Sequence, residues 1–375
     1  PNRWQPLSLS VFIDQNGNLL SGAPPFMGAE WGNVKPFAMT DADKEVLPRD
    51  GNNWTVYHNP GPFPLLNETG TDMDDLYKWN FALVAKWASH LDTADQVMID
   101  ISPASAGNCQ MPNSFADYPS FYDFQNGGDN GTGRAINPVT GQPYDPQWVR
   151  RGDFTRVLAE FWADGPNSET PPGHWFKILN YVIEQLNGTF AWEGTESISE
   201  TEFCVRSYLT LGGAMHDAAI SAWGIKGYYD GVRPVSAIRY MCEHGQSTDP
   251  TLPNYSPLGF PLVEGLSALV EVGDPLAGTN NENVGKVKLW TWNGPEVISN
   301  PQVDMAGVGW VLGEKWYPYQ RPTFVTPPFA GYVSGHSTYS RAAAEVMVAI
   351  TGSEFFPGGM GTFDAPMNQY LVFED

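Results

Sequence analysis

The stretch TEFCVRSYLTLGGAMHDAAISAWGIKGYYDGVRP, residues 201–234, decides the fold. Residues 201–226 hold no proline, and Met215, Ala219, Ala222 and Lys226 fall four, three and four apart. That spacing puts them on one face and predicts a long helix over 201–226. A lysine that extends an apolar face either reaches water along its stem or pairs with an anion, because an unpaired buried ammonium is costly. Arg233 lies seven residues further on and is followed by Pro234. Proline disfavours helical geometry in the residue before it, so Arg233 is expected where the helix exits. Pro234 itself is a favoured first-turn residue and opens a second helix through Ile238 and Met241. Two cations so spaced can converge on one anion, and the planar fork of arginine suits an oxyanion. Taken alone, two cations seven apart usually read as a solvated face.

Working outward, the next informative stretch is Val333-Ser334-Gly335-His336. It precedes a predicted helix over about 337–350, whose apolar stripe is Tyr339, Ala342, Ala343, Val346, Met347 and Ile350, with Gly352 as its C′ residue. Ser334 is placed to cap that helix. Its first N–H groups, with Gly335 permitting close approach, make an anion cradle. His336 in the first turn can serve as acid or base near neutral pH. The bland alternative is a serine cap with a polar histidine beside it. On the N-terminal side, helices are expected over 154–163 and 174–186. The breakers Asp164-Gly165-Pro166 and Pro171-Pro172-Gly173 lie between them. Another helix is expected over 73–91, with Asp72, Asp74 and Asp75 at its N-terminus. Residues 1–70 read as strands and loops, with Leu9–Ile13 leading to an Asn16-Gly17 hairpin turn. Residues 102–150 read as a long surface excursion, and 245–330 as mostly loop around a strand near 287–292.

Lys226 to Pro234 in the pattern Lys-x6-Arg-Pro, followed about a hundred residues later by Ser334-Gly335-His336 opening a helix, resembles the vanadium-dependent haloperoxidases. These share a fold and an anion site with the type 2 phosphatidic acid phosphatases. Pro327-Pro328-Phe329 with Tyr332, Trp162–Pro166 and Pro172–Trp175 resemble the haloperoxidase branch, so the likeness covers about 150–350. It implies a mainly α, helical-bundle fold over 151–375, apparently lacking its C-terminal part. Residues 1–150 would be a loop- and strand-rich extension with one helix. It further implies vanadate, and no haem, as cofactor. Lys226, Arg233, Ser334 and Gly335 would bind its oxygens, or those of phosphate. His336 and Lys226 would be the catalytic pair, and Phe329 would sit at the halide side of the pocket. The implied activity is oxidation of halide by hydrogen peroxide to hypohalous acid. A phosphomonoesterase, or a non-catalytic oxyanion-binding relative, would use the same pocket. The family's third motif is Ser-Arg with a vanadium-ligand histidine six residues after the arginine. Here Ser340-Arg341 is followed by Met347, and no histidine comes after His336. Glu345, four residues after Arg341, makes a surface ion pair the better reading of that arginine. The missing motif implies a second, cleaved chain, a truncated sequence or a degenerate relative.

Composition excludes several other classes. The 375 residues carry a formal charge of −22, which disfavours a nucleic-acid binder, since that needs a basic face. A hydrophobic content of 42% excludes general disorder, and no apolar run is long enough for a membrane span. Cys109, Cys204 and Cys242 lie far apart and form no CxxC pair, which leaves either three buried thiols or one bridge with a single thiol unpaired. His216 and His174 are expected to be structural or surface residues. His58, His90 and His244 have no partner spacing, and no His-Glu-x-x-His set is present. No Gly-x-Ser-x-Gly elbow points to a serine hydrolase. A glycosidase-like carboxylate pair could hide among the 42 acids, but it gives the Lys-Arg-Pro and Ser-Gly-His pairing no role. The acidic, lysine-poor composition and the resemblance suggest a secreted or periplasmic protein, and a homo-oligomer is left open.

Overall fold

The structure, a computed structural model, describes residues 1–6, 12–13, 19–22, 25–68, 75–105, 107, 109–163, 169–300, 304–319, 326–357, 359–361, 364–367, 369 and 371. Seven α-helices occur among them. They are α1 (Leu76–Ala88), α2 (Tyr118–Phe121), α3 (Arg151–Phe161), α4 (Pro171–Gln185), α5 (Glu200–Tyr229), α6 (Pro234–Glu243) and α7 (Gly335–Thr351).

The helix expected over 73–91 begins at Leu76, because the Asp75 side chain caps it by accepting from the Tyr77 N–H at 2.9 Å. Its last residues, Ser89–Leu91, tighten into a 3₁₀ turn. Asp72, Asp74, the turn at Asn16-Gly17 and the breaker at 164–166 lie outside the described residues. Helix α5 runs beyond Lys226 to Tyr229 and stops where Asp230 adopts a left-handed conformation, φ 52°.

Two cores organise the molecule. In one, α4, α5 and α7 interlock through Leu179, Leu211, Met215, Ala222, Ala343 and Met347. In the other, α1 and α6 pack on the strand Val287–Trp292 through Phe81, Ala85, Ile238, Met241 and Leu289. That strand is the middle of a three-stranded antiparallel sheet, between Ser267–Leu269 and Val308–Leu312. Four two-stranded sheets complete the described strands, including the pairing of Phe12–Ile13 with Leu19–Leu20. Of the described residues, 36% are helix and 14% strand. The helical-bundle expectation holds for the core, and mainly α is met only loosely: long glycine- and proline-rich connections between α6 and α7 carry sheet and irregular structure instead.

Segments on both sides of residue 150 share these cores. The 3₁₀ turn Trp31–Asn33 and the strand Asn52–Tyr57 lie along α5. Contact is so close that a Cβ on Gly32 would fall 2.1 Å from the Thr55 carbonyl oxygen and 3.3 Å from Gly224. Buried Asp217 anchors the same segment, accepting from the N–H groups of Phe37, Ala38 and Met39 at 2.6, 2.8 and 3.0 Å. The cysteine expectation is corrected in part. Cys242 is buried, but Cys109 and Cys204 are only half-buried, because they sit on a surface segment and on the first turn of α5; all three are unbridged. No described helix is long and apolar enough to cross a membrane.

Candidate functional site

The C-terminal turn of α5 delivers Lys226 into the interior, where it is 2% exposed. It takes neither course expected of it. Its Nζ donates to the Ala330 carbonyl at 2.8 Å and stands 5.1 Å from the Phe329 ring centroid and 5.7 Å from that of Trp223. With a neutral acceptor in place of an anion, burial holds the ammonium pKa well below the ordinary lysine value, and the charge of Arg233 adds to the effect.

Arg233 follows the left-handed exit of α5 and is the N-cap of α6, with extended backbone at φ −87° and ψ 151°. Pro234 forces that geometry. Its Nε donates to the Phe329 carbonyl at 2.7 Å, and its guanidinium carbon lies 4.7 Å from the Phe329 ring centroid. Its Nη2 is shielded from water and has no hydrogen-bond partner among the described residues. Burial lowers the guanidinium pKa to about 10. Consecutive carbonyls, those of Phe329 and Ala330, therefore hold the two cations, and both stand against the Phe329 ring.

The loop then leads into α7. Ser334 is its N-cap, as expected, accepting from the Ser337 N–H at 3.2 Å. Gly335 lies on the Trp223 indole: a Cβ there would approach Trp223 Cη2 to 3.1 Å. Glycine is what lets the end of α7 come this close. Half-buried His336 stands edge-on to Trp162 at 6.4 Å. Burial is the main influence on its pKa and lowers it; His174, Lys226 and Arg233 push the same way, and a hydrogen bond with the Trp162 backbone opposes them. These influences favour the neutral imidazole, the form able to accept a proton.

Lys226, Arg233, Phe329, Ser334, Gly335 and His336 all line one cavity of about 400 Å³. Trp162, Trp223, Glu160 and Tyr319 line it too and were not assigned a role from sequence. Trp223 was within reach of the helical spacing rule, being three residues before Lys226. Its Nε1, like Arg233 Nη2, is buried without a partner. Glu160 is the one acid on the cavity wall among the described residues, and its charge is committed elsewhere. It pairs with Arg156 at 3.3 Å and accepts from the Tyr319 hydroxyl at 2.5 Å and the Leu371 N–H at 2.6 Å.

The chemistry of this wall is that of an anion site. A buried lysine, a half-buried arginine, a helix N-terminus and a histidine face a space with no uncommitted carboxylate among the described residues. Among the described residues no group of three His, Cys, Asp or Glu could hold a metal cation. The donors present fit an oxyanion instead.

Other sequence candidates fall outside. Arg341 pairs with Glu345 on the surface, as expected, the two side chains being 80% and 61% exposed. Met347, six residues after it, is 7% exposed in the bundle core. His174 is structural: its ring bonds Glu169 at 2.8 Å and the Phe161 carbonyl at 2.9 Å. His216 is exposed and meets the Lys35 carbonyl at 3.0 Å.

Residues 206–371 match a family model described as the VCPO second helical-bundle domain. No curated protein matches the chain, and no solved structure matches it. The matched span holds every one of the six cavity residues singled out from the sequence.

Proposed function

Residues 206–371 belong to the second helical-bundle domain family of the vanadium haloperoxidases (VCPO), and from that premise we propose that the cavity holds vanadate and that the chain oxidises halide with hydrogen peroxide. One observation carries the reading: buried Lys226 and half-buried Arg233, whose Nη2 is shielded from water, have only neutral carbonyls as acceptors among the described residues. A buried cation without a counter-charge is costly, and a bound oxyanion removes that cost. When bound, vanadate would supply the centre at which peroxide is activated.

The chain's own residues do the rest. Lys226 and Arg233 hold the oxyanion and draw charge from its oxygens, an electrostatic preorganisation that needs no motion during the reaction. Ser334 and the Gly335 N–H extend the wall at the start of α7. His336 exchanges a proton at its imidazole with an oxygen bound beside it. Phe329 covers both cations and keeps water from them.

The same donors suit phosphate, so a phosphomonoesterase is the second reading. Turnover is tested apart from binding, because the vanadium-ligand histidine that the resemblance implies was not found in this sequence: no histidine follows His336. Vanadate affinity is measured first by ⁵¹V NMR, then peroxide-dependent bromide oxidation and aryl phosphate hydrolysis on the same sample. Saturable vanadate binding with halide oxidation supports the proposal. Phosphate hydrolysis inhibited by vanadate supports the second reading, and binding without either activity supports an oxyanion-binding relative. Absence of vanadate binding overturns all three. His336→Ala is expected to slow turnover by roughly 10²–10⁴ with binding largely retained.

A further inference from the structure

Behind the oxyanion cavity lies a second one, of about 370 Å³, and the two share Pro234 and Gly331 as a common wall. Its lining comes from five separate parts of the chain, one of them the junction of α5 and α6 at Gly231, Val232 and Pro234. Phe63 precedes α1, Trp79 is on α1, Phe115, Tyr118 and Tyr122 come from the segment around α2, and Tyr332 precedes α7. The rings are arranged around the space. Phe63 and Tyr332 have centroids 5.3 Å apart, Phe115 and Tyr332 6.4 Å, and Tyr118 stacks on Tyr122 at 5.9 Å.

Three observations bear on what would fit there. First, none of the lining residues is an acid, a base or a histidine, so a charged ligand would find no counter-charge on the wall. Second, charges of both signs flank the lining. Arg233 stands between Val232 and Pro234, while Asp75 and Asp230 stand beside Leu76 and Gly231. No single sign of charge is therefore selected, and cation binding to the aromatic rings is the alternative that the test includes. Third, the tyrosine hydroxyls divide into two sets. Those of Tyr77 and Tyr332 are used, donating to the carbonyls of Pro1 at 2.8 Å and Gly61 at 3.0 Å. No hydrogen bond among the described residues occupies those of Tyr118 and Tyr122. Exposed Asn80 adds an amide at the rim.

We propose that this cavity is a binding site for a neutral, planar aromatic small molecule of phenol or indole size that carries one hydrogen-bonding group. Offset and edge-to-face contacts with Phe63, Phe115, Tyr118 and Tyr332 supply the attraction, since these are the geometries aromatic pairs prefer. The Tyr118 or Tyr122 hydroxyl takes the polar group. Concave, mostly apolar sites with a few polar groups are the usual form of small-molecule sites. The claim stands on this cavity alone and does not depend on what the neighbouring site does, although a bound ring would lie one wall away from it.

The test is calorimetric titration of the whole chain with phenol, indole, cyclohexanol and tetramethylammonium. Saturable one-to-one binding of phenol or indole is expected, with cyclohexanol and tetramethylammonium weaker. Phe115→Ala should weaken phenol or indole about three- to tenfold, the loss expected for one aromatic pair. Phe115 is 40% exposed, so the fold tolerates the change. Tyr118→Phe, which keeps the ring, should weaken phenol while leaving toluene unchanged. Vanadate binding by ⁵¹V NMR should be the same in both variants and in the parent chain, which separates the fate of this site from that of the oxyanion cavity. The proposal is overturned if neither phenol nor indole binds saturably, if tetramethylammonium binds more tightly than both, or if neither variant alters affinity.

Discussion

Two arginines near the same cavity, Arg156 buried and Arg233 half-buried, are served quite differently. Arg156 on α3 is surrounded by acceptors: Glu160 at 3.3 Å, Asp153 at 3.5 Å, the Pro366 carbonyl at 3.0 Å and the Gln369 carbonyl. Glu160, in turn, receives the Leu371 N–H, so this pair fastens the last described residues onto α3. Arg233 has one backbone carbonyl, the face of Phe329 and an Nη2 with no partner. A buried charge whose counter-charge is built in belongs to the architecture. A buried charge given only neutral company is stable as part of a site that expects an anion. The contrast separates structure from function without appeal to either residue's rarity.

The sharpest way to break that contrast is to remove the counter-charge from the first arginine. Glu160→Gln leaves Arg156 buried with an incomplete partner set and takes a carboxylate from Leu371 and Tyr319. The expected loss is about 3–5 kcal/mol of stability, the range for a buried pair that loses one partner. Urea denaturation monitored by tryptophan fluorescence measures it. Arg233→Met, by the same measure, should cost clearly less, since no carboxylate is left behind. Equal losses would mean that Arg233 is as architectural as Arg156.

A second test uses pH and a buried base kept neutral by the fold. His90, 4% exposed, meets the Gln125 carbonyl at 3.0 Å, and burial is the leading cause that lowers its pKa to about 4. In the unfolded chain it titrates near 6.5. Between those values the unfolded state binds more protons, so stability is full above about pH 6.5 and falls as the pH drops towards 4. The shift corresponds to about 3 kcal/mol at its full extent. His90→Gln should flatten the denaturation midpoint over this window while leaving oxyanion binding at pH 7 unchanged. A slope that persists in the variant would assign the acid sensitivity to other groups.

Removing the cations of the site reads the other half of the contrast. Arg233→Met or Lys226→Met should weaken vanadate binding by about 1.5–3 kcal/mol, the worth of hydrogen bonds to charged groups. Lys226 adds a pH signature. An anion favours its protonated form, and burial has lowered its pKa, so sulfate affinity should fall as the pH rises through that lowered value. Sulfate keeps a fixed charge over this range, so the slope belongs to the protein. It should disappear in Lys226→Met. Unchanged affinity in both variants would remove the site.

What was legible in the sequence follows the reach of each interaction. The face of α5, the serine cap on α7 and the αL residue at Gly352 are set by neighbours within one turn, and local spacing found all of them. The placement of Arg233 at a helix edge was legible because proline constrains the residue before it. The carbonyls that seat the two cations were not, because Phe329 and Ala330 lie 96 and 104 residues away from the side chains they serve. The aromatic cavity was missed for the same reason. Phe115, Tyr118 and Tyr122 read as part of a surface excursion, and only the packing of α1, α2 and the loop before α7 gives their rings a common space. Glu160 shows the limit most plainly: four residues after Arg156 it looks like an ordinary helical ion pair, and only the return of the chain at Leu371 buries it.

The smallest expected effect concerns a third arginine. Arg341 sits on α7 close in sequence to Ser334-Gly335-His336, and the resemblance alone would recruit it as a further anion clamp. Its side chain is 80% exposed and its partner Glu345 is 61% exposed. An exposed pair four residues apart on a helix contributes about 0.5 kcal/mol or less, and salt weakens it further. Arg341→Ala should therefore leave the denaturation midpoint and the vanadate affinity almost where they were, with any stability change vanishing in high salt. A loss of vanadate affinity comparable with that of Arg233→Met would mean that Arg341 reaches the bound anion after all, and that exposure in the free protein is a poor guide to which cations the site uses.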